Sequence, residues 1–534
     1  MTSKPVEADI ILVGGTFVTM DPLKPRAEAV AVLGGHFEAV GTDAEIRRMA
    51  GPRTRVIDLA GGSATPGLVD GHCHLYGLGK ALEELSLRGL RSPEEAAAKV
   101  AEAARARPAG EWIQGRGWDQ NLWAKKEFPG HAPLDAAAPA HPVALRRIDG
   151  HALWANAAAM RAAGVTRASQ PPPGGSIVRD QAGEPTGVFI DAAMSLIEDR
   201  IPPASPEVIR RRIEAAARTA VAAGLTGVHE MGLEDEVIAE YRKLAAEGKL
   251  PLRVYAMLAG EPKAIAQLAT RKPDRDPDGT ALFQLAGVKM YADGALGSRG
   301  AALLEPYADD PGNRGLVITP KEEIQRAAEL AVANGWQVAV HAIGDRANRD
   351  VLDAYAAAKV PPERRFRIEH AQIVAPEDLP RFGAQGVVAS MQATHATSDM
   401  PWAGERVGQA RLAGAYAWRS MLAGGARLVG GSDFPVEEVP PLLGLWAATT
   451  RTDPEGKPAG GWLPEQKLTL EEAIATYTVA TAWVSFQEHR RGRIAPGFVA
   501  DLTVYDRELI IERLLQTQIQ MTMVGGRVVY ERPR

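Results

Sequence analysis

The chain of 534 residues contains one cysteine, Cys73. A single thiol excludes any disulfide within the chain and suits a reducing compartment. Charge of one sign is also scarce, since 61 basic side chains stand against 66 acidic ones for a formal net charge of -5. A balance this even gives no reason to expect nucleic acid as a partner. Long apolar runs are missing as well. The opening stretch MTSKPVEADIILVGG has too short an apolar core for a signal peptide, and no segment reaches the length that spans a bilayer. The expectation is a soluble cytoplasmic protein without a membrane partner.

What is present is ordinary for a globular chain, with 46% hydrophobic and 24% charged residues. The length exceeds what one core usually organises, yet a large barrel with a smaller unit would fit. Residues 8–58 read as short β-prone runs broken by Gly-Gly pairs, and 500–506 and 521–531 repeat that style near the other end. Neither piece is large enough for a comfortable core alone. The two are expected to pair into one β-sandwich from residues 1–63 and 486–534.

Between them the pattern becomes strand, turn, helix, repeated. Candidate strands are Ala64 to His72, Leu225 to His229, Arg253 to Leu258, Leu285 to Tyr291, Gln337 to His341, Phe366 to His370, Val387 to Gln392 and Arg427 to Gly431. Alanine-rich helical stretches lie between most of them. Capping boxes are expected at Ser92/Glu95, Thr319/Glu322 and Thr469/Glu472. Eight such units predict an α/β fold, a (β/α)8 TIM barrel over 64–485 whose site lies where strands end and loops begin. Residues 76–200 are too long for one crossover and are expected to form an inserted subdomain over the barrel mouth.

The segment PGLVDGHCHL ends its strand on His72 and His74. Residues two apart in a strand project to one face, so both imidazoles aim into the same space while Cys73 packs behind. Taken alone, His-x-His is either a ligand pair or chance. Four further strand ends each bring a metal-competent group: Lys289, His341, His370 and Asp433. Singly, each has an ordinary reading as a satisfied core histidine, a turn aspartate or a helix cap. Their common placement around one barrel rim is what speaks for a shared site.

In that order and on those strands, His72-Cys73-His74, Lys289, His341, His370 and Asp433 resemble the amidohydrolase superfamily of metal-dependent hydrolases. Longer phrases, GRGWDQNLW, DGHALWAN, GVKMYADGALGSR, HAIGDRA, RIEHAQ, SMQATHATSDMPW and GSDFPVE, are similar to the branch that includes N-substituted formamide deformylases. The resemblance implies a small-molecule amide, N-formyl, N-acyl or cyclic amide substrate and two divalent metals, zinc by ligand type. His72, His74 and Asp433 would bind the buried metal and His341 and His370 the exposed one, with carboxylated Lys289 as the bridge. If Lys289 stays an amine, one metal is expected. A metal-bound hydroxide would attack, with Asp433 as general base and then general acid.

Candidate substrate contacts are His395 after the seventh strand, His151 in the insertion with Trp118 and Trp154 as an aromatic wall, His229 at the second strand end, and Arg299, which could bind an anionic group or pair with Asp309 or Asp310. His36, His131, His141 and His489 fall outside the ring and are expected at the surface. Two other readings stand beside the hydrolase. One is a mononuclear deaminase, for which the nearest acid after His341 is Asp345. The other is a non-catalytic metal-binding regulatory protein with a closed metal shell. A homodimer is expected only because dimers are the commonest closed assembly.

Overall fold

Eight strands, Leu68–Cys73, Leu225–Leu233, Arg253–Ala259, Phe283–Tyr291, Gln337–Ala342, Arg367–His370, Val388–Gln392 and Arg427–Gly431, lie side by side in chain order, every neighbouring pair parallel. This computed structural model describes residues 7–533. Residues 1–6 and Arg534, assigned above to the terminal β unit, lie outside the described residues, as does the start of the segment read for a signal peptide. The strands are buried almost throughout, which is why they read as near-continuous apolar runs rather than alternating ones.

The eighth strand meets the first through specific polar contacts. The Asp433 amide donates to the His72 carbonyl at 2.8 Å and the His74 amide to the Phe434 carbonyl at 2.8 Å. Beneath them the Asp70 carboxylate accepts from the Ser432 hydroxyl at 2.6 Å and from its amide at 3.1 Å. The sheet thus curls into an almost closed barrel with His72, His74 and Asp433 at its seam.

The outer helices bury one stripe each. Pro206–Ala222 follows the N-cap Ser205 and turns Ile209, Ile213, Ala216, Ala217 and Ala220 to the core, the i, i+4 spacing of an amphipathic helix. The Thr469/Glu472 capping box is present in full, and Ser92 caps its helix. At Thr319/Glu322 the expectation fails. Pro320 takes the cap position and the helix starts at Lys321, so Thr319 sits one residue too early to reach an unpaired amide.

Segments from both ends of the chain share a sheet, in the order Arg527–Glu531, Ile519–Val524, Leu502–Tyr505, Ser63–Pro66, Thr16–Val18 and Arg26–Ala27. A four-stranded sheet of Ile10–Val13, Ala29–Leu33, His36–Gly41 and Arg55–Asp58 packs over it around Leu12, Phe17, Val30, Leu502 and Met523. The expected strand Ala64 to His72 is two strands. Ser63–Pro66 belongs to the terminal sheet and Leu68–Cys73 to the barrel, with Gly67 between them where a Cβ would meet Thr226 Oγ1 at 2.3 Å.

Within 76–200 a fourth sheet, of six strands, runs from Leu85–Ser86 through Ile113–Trp118, Val143–Arg147, Ala152–Ala155 and Pro185–Asp191 to Gly175–Arg179. It has its own apolar core of Leu87, Val100, Trp118, Trp123, Leu145 and Trp154. Among the described residues, no helix is long and apolar enough to cross a membrane.

Candidate active site

Six imidazoles converge at the C-terminal rim of the barrel. Ring centroids lie 5.7 Å apart for His72 and His74, 4.8 Å for His72 and His370, 4.6 Å for His370 and His341, 5.8 Å for His370 and His395, and 5.0 Å for His341 and His151. Asp433 is the carboxylate shared by His72, His74 and His395. Its Oδ1 stands 3.4 Å from His72 Nε2 and 3.3 Å from His74 Nε2, and its Oδ2 stands 3.2 Å from His395 Nε2. The donor atoms of His72, His74 and Asp433 lie within 4.8 Å of one another, as do those of His370, His395 and Asp433.

The outer partners of these rings fix which nitrogen faces inward. His72 Nδ1 donates to Glu369 Oε2 at 2.5 Å, so Nε2 carries the lone pair. His370 Nδ1 donates to Gln392 Oε1 at 2.7 Å, with the same result. His341 holds Nε2 3.4 Å from the Gly294 carbonyl, which leaves Nδ1 as its acceptor. Burial drives His341 and His370 well below the usual histidine range, with neighbouring imidazoles and Lys289 adding to the effect. His74 is pushed down to about 4, chiefly by burial, against the pull of Asp433. All three are therefore neutral, the form that binds metals.

Two of the inward atoms have no partner. His72 Nε2 and Asp433 Oδ1 are buried, lack a hydrogen-bond partner among the described residues, and stand 3.4 Å apart. A carboxylate-oriented histidine beside a carboxylate is a donor set suited to a divalent metal. Backbone strain marks the same place, with positive φ at His370 (70°), Ala371 (43°) and Asp433 (63°).

Lys289 is 1% exposed, and its amine lies 4.6 Å from the Tyr291 ring centroid. It is near enough for its charge to depress His74, His341 and His370. Among the described residues no carboxylate pairs with it within 4 Å, an expensive state for a buried ammonium.

Above the rim lies a cavity of about 350 Å³. Its floor is His341, His370, His395 and Asp433, and its roof comes from the insertion through Arg88, Asp119, Arg147, Asp149 and His151. His151 Nδ1 bonds Asp191 Oδ1 at 2.6 Å, which orients the ring toward His341. His395 bridges Asp433 and Glu437, each at 3.2 Å. Burial disfavours its charge, but the two carboxylates outweigh that and push it up to about 10.

Four expected substrate contacts lie elsewhere. Trp118 and Trp154 are fully buried in the core of the insertion, where their indoles donate to the carbonyls of Leu145 and Gly130. They form no cavity wall because their apolar area is what that small sheet has to bury. His229 lies inside its strand rather than at its end. Its Nδ1 meets the Arg367 guanidinium at 2.9 Å within the barrel. Arg299 is neutralised by Asp309 at 3.0 Å. His141, expected at the surface, is buried with Nδ1 on the Glu111 carbonyl.

Several residues of the site were not singled out from the sequence. Glu369 orients His72, Gln392 orients His370, and Asp191 orients His151. The first had a readable signal, since Arg367 and Glu369 stand two apart in one strand and so share a face, where their side chains pair at 2.6 Å.

Comparison with known proteins agrees with this architecture. Residues 55–530 match the model of the amidohydrolase family. The Bacillus subtilis (strain 168) protein named "Putative amidohydrolase YtcJ" is 35% identical over 530 residues, covering 97% of this chain and 99% of its own. The N-substituted formamide deformylase of Arthrobacter pascens is 28% identical, covering 98% of each. A crystal structure described as an uncharacterized metal-dependent hydrolase from Pyrococcus horikoshii superposes with a TM-score of 0.76 at 28% identity, covering 93% of this chain and 97% of the other. With the barrel, the seam and the family match in agreement, this chain belongs to the amidohydrolase family.

Proposed function

We propose that the chain is a metal-dependent hydrolase that cleaves the carbon–nitrogen bond of an amide, in an N-formyl, N-acyl or cyclic amide substrate. The observation that carries this reading is the pair of buried, unpartnered atoms, His72 Nε2 and Asp433 Oδ1, 3.4 Å apart beside His74 and at the edge of a cavity of substrate size.

His72, His74 and Asp433 would hold one divalent ion, zinc by ligand type, and His341 and His370 a second, bridged by Lys289 carrying a CO2-derived carboxylate. When bound, such ions make water a nucleophile at neutral pH and polarise a carbonyl. The rest falls to the protein. The Asp433 carboxylate accepts the proton of the attacking water, while His395, itself held by Glu437, keeps Oδ2 in place. The same carboxyl then delivers the proton to the departing nitrogen. His151, anchored by Asp191, faces the substrate from the roof. The open cavity over the donor set supports a catalyst over a closed structural metal shell.

The test is metal analysis joined to a screen of N-formyl, N-acyl and cyclic amides with wild type and Asp433→Asn. The expected result is bound divalent metal, hydrolysis by the wild type, and a fall of about 10² to 10⁴ in kcat for the variant. Undiminished turnover in the variant would remove Asp433 from proton transfer, and no hydrolysis across the panel by the metal-loaded protein would overturn the amidase reading.

A further inference from the structure

The phrase SMQATHATSDMPW supplies His395 to the site, but its aspartate has no role so far. His395 and Asp399 stand four apart on the short helix Ala393–Asp399, a spacing that puts both on one face, and both line the 350 Å³ cavity. Four residues of helix rise roughly 6 Å, so Asp399 sits one turn beyond the histidine that bonds Asp433. Three segments meet to fix its carboxylate. Oδ2 accepts from the Tyr416 hydroxyl at 2.6 Å and from Gln372 Nε2 at 2.9 Å, and Gln372 Nε2 also donates to the Tyr416 hydroxyl at 2.7 Å. Tyr416 is buried with its backbone at φ 49°, a strained setting that delivers the hydroxyl to this point. Oδ1 has no hydrogen-bond partner among the described residues and is not sealed from solvent, so it opens into the cavity.

The carboxylates that line the cavity are Asp119, Asp149, Asp399, Asp433 and Glu437. Asp119 and Asp149 hold Arg147 at 2.6 and 2.5 Å, while Asp433 and Glu437 hold His395, each at 3.2 Å. Asp399 differs from the other four. Among the described residues no cation lies within ion-pair distance of it, and the two groups bonded to it, Tyr416 and Gln372, are neutral. Burial pushes its carboxyl up to about 7, and the charge of His395 and the Tyr416 hydroxyl only partly offset this. A carboxylate held open to a cavity without an internal counter-charge is matched by a cation arriving from outside. Trp402, three residues on, brings an indole to the same cavity, and aromatic rings also favour ammonium groups.

Building on the hydrolase reading above, we propose that Asp399 is a specificity-determining residue whose Oδ1 binds an ammonium group of the substrate, so that the preferred amides are cationic and carry that ammonium a few bonds from the scissile one.

Matched pairs of amides test this on the metal-loaded enzyme, with the ammonium on the amine side in N-formyl- and N-acetylethylenediamine and on the acyl side in N-propylglycinamide. Each is set against the analogue with a methyl group in place of the ammonium. Wild type is expected to favour the ammonium member of at least one pair in kcat/KM. In Asp399→Asn that preference should shrink by about 10- to 100-fold, carried by KM, and Tyr416→Phe, which frees Oδ2 from one of its two bonds, should act less strongly in the same direction. Wild type that treats both members of every pair alike, an Asp399→Asn variant that keeps the wild-type preference, or a loss common to both members overturns the assignment. Should Asp399→Asn not fold, the wild-type ratio and Tyr416→Phe decide. If no amide is hydrolysed, the amidase reading fails separately. Calorimetric titration of each pair into wild type and Asp399→Asn then tests the ammonium site, with ammonium-selective binding that weakens in the variant supporting it and equal binding of both members rejecting it.

Discussion

The Nδ1–H of His72 donates to Glu369 Oε2 at 2.5 Å, and through that one bond a carboxylate on the sixth strand sets the tautomer of a histidine on the first. Glu369 is itself held by Arg367, whose guanidinium also donates to the Gly71 carbonyl and the Ser390 hydroxyl and meets His229. The inward lone pair of His72 therefore depends on a buried charge network that spans four strands.

Glu369→Gln should act on both metal retention and stability. The amide is a weaker acceptor and can equally offer its N–H, so His72 is no longer held to one tautomer. Metal affinity is expected to fall by about 10- to 100-fold. Removing the negative partner of a fully buried guanidinium should cost about 3 to 5 kcal/mol. Metal content after dialysis against a graded chelator and denaturant unfolding of the metal-free protein report the two effects separately. Retention equal to wild type would mean that His72 is oriented by packing alone.

Lys289→Met tests the bridging assignment. Methionine fills a similar volume beside Tyr291 and removes the group that would be carboxylated, so the protein should fold and bind one equivalent of metal, against the two expected of wild type. Reconstitution of wild type in buffer stripped of bicarbonate should give the same single equivalent. Two equivalents in the variant would exclude Lys289 as the bridge.

The sequence made the barrel legible because its strands are buried on both faces. Leu285 to Tyr291 and Arg427 to Gly431 stand out as β-prone runs between alanine-rich helices, and their polar ends stand out in turn. Orientation was less legible. Trp118 and Trp154 carry the same aromatic signal whether they line a cavity or fill a core, and only the small size of the insertion's sheet decides for the core. His229 was misplaced because its strand continues to Leu233, four residues past the point where the histidine suggested an end. Glu369 and Gln392 escaped notice because their function is to orient another side chain across strands, and pairing between strands leaves no local pattern in the chain.

The seam between the eighth and first strands predicts a sensitive glycine. A Cβ on Gly431 would lie 2.5 Å from the His72 amide nitrogen and 2.8 Å from Asp70 Oδ1. Backbone on one side and a bonded carboxylate on the other leave it no room to move. Gly431→Ala should force the seam apart, lower stability by about 1 to 3 kcal/mol, and misplace Asp433 two residues on. Loss of hydrolysis should exceed what the stability change explains when assayed well below the unfolding temperature. An alanine variant with wild-type turnover would show that the seam is pliant.

The junction of barrel and terminal sheet predicts a pH dependence. Arg253 on the third barrel strand holds Asp501 with two bonds, Nε to Oδ2 at 2.8 Å and a terminal nitrogen to Oδ1 at 3.0 Å, and the Gly525 amide adds a third at 2.7 Å. Burial alone would raise the carboxyl, but Arg253 and these hydrogen bonds hold it below the usual aspartate range. A depressed carboxyl contributes stability that is complete above its unfolded value, about 3.9, and is lost as pH falls through the lower folded value. Asp501→Asn removes the negative charge while Arg253 stays buried, so it should cost about 3 to 5 kcal/mol near neutral pH. The gap to wild type should narrow as acid protonates Asp501 in the parent. Urea unfolding from pH 7 to pH 3 follows this directly, and a gap that stays constant over that range would show that the pair does not couple to protons.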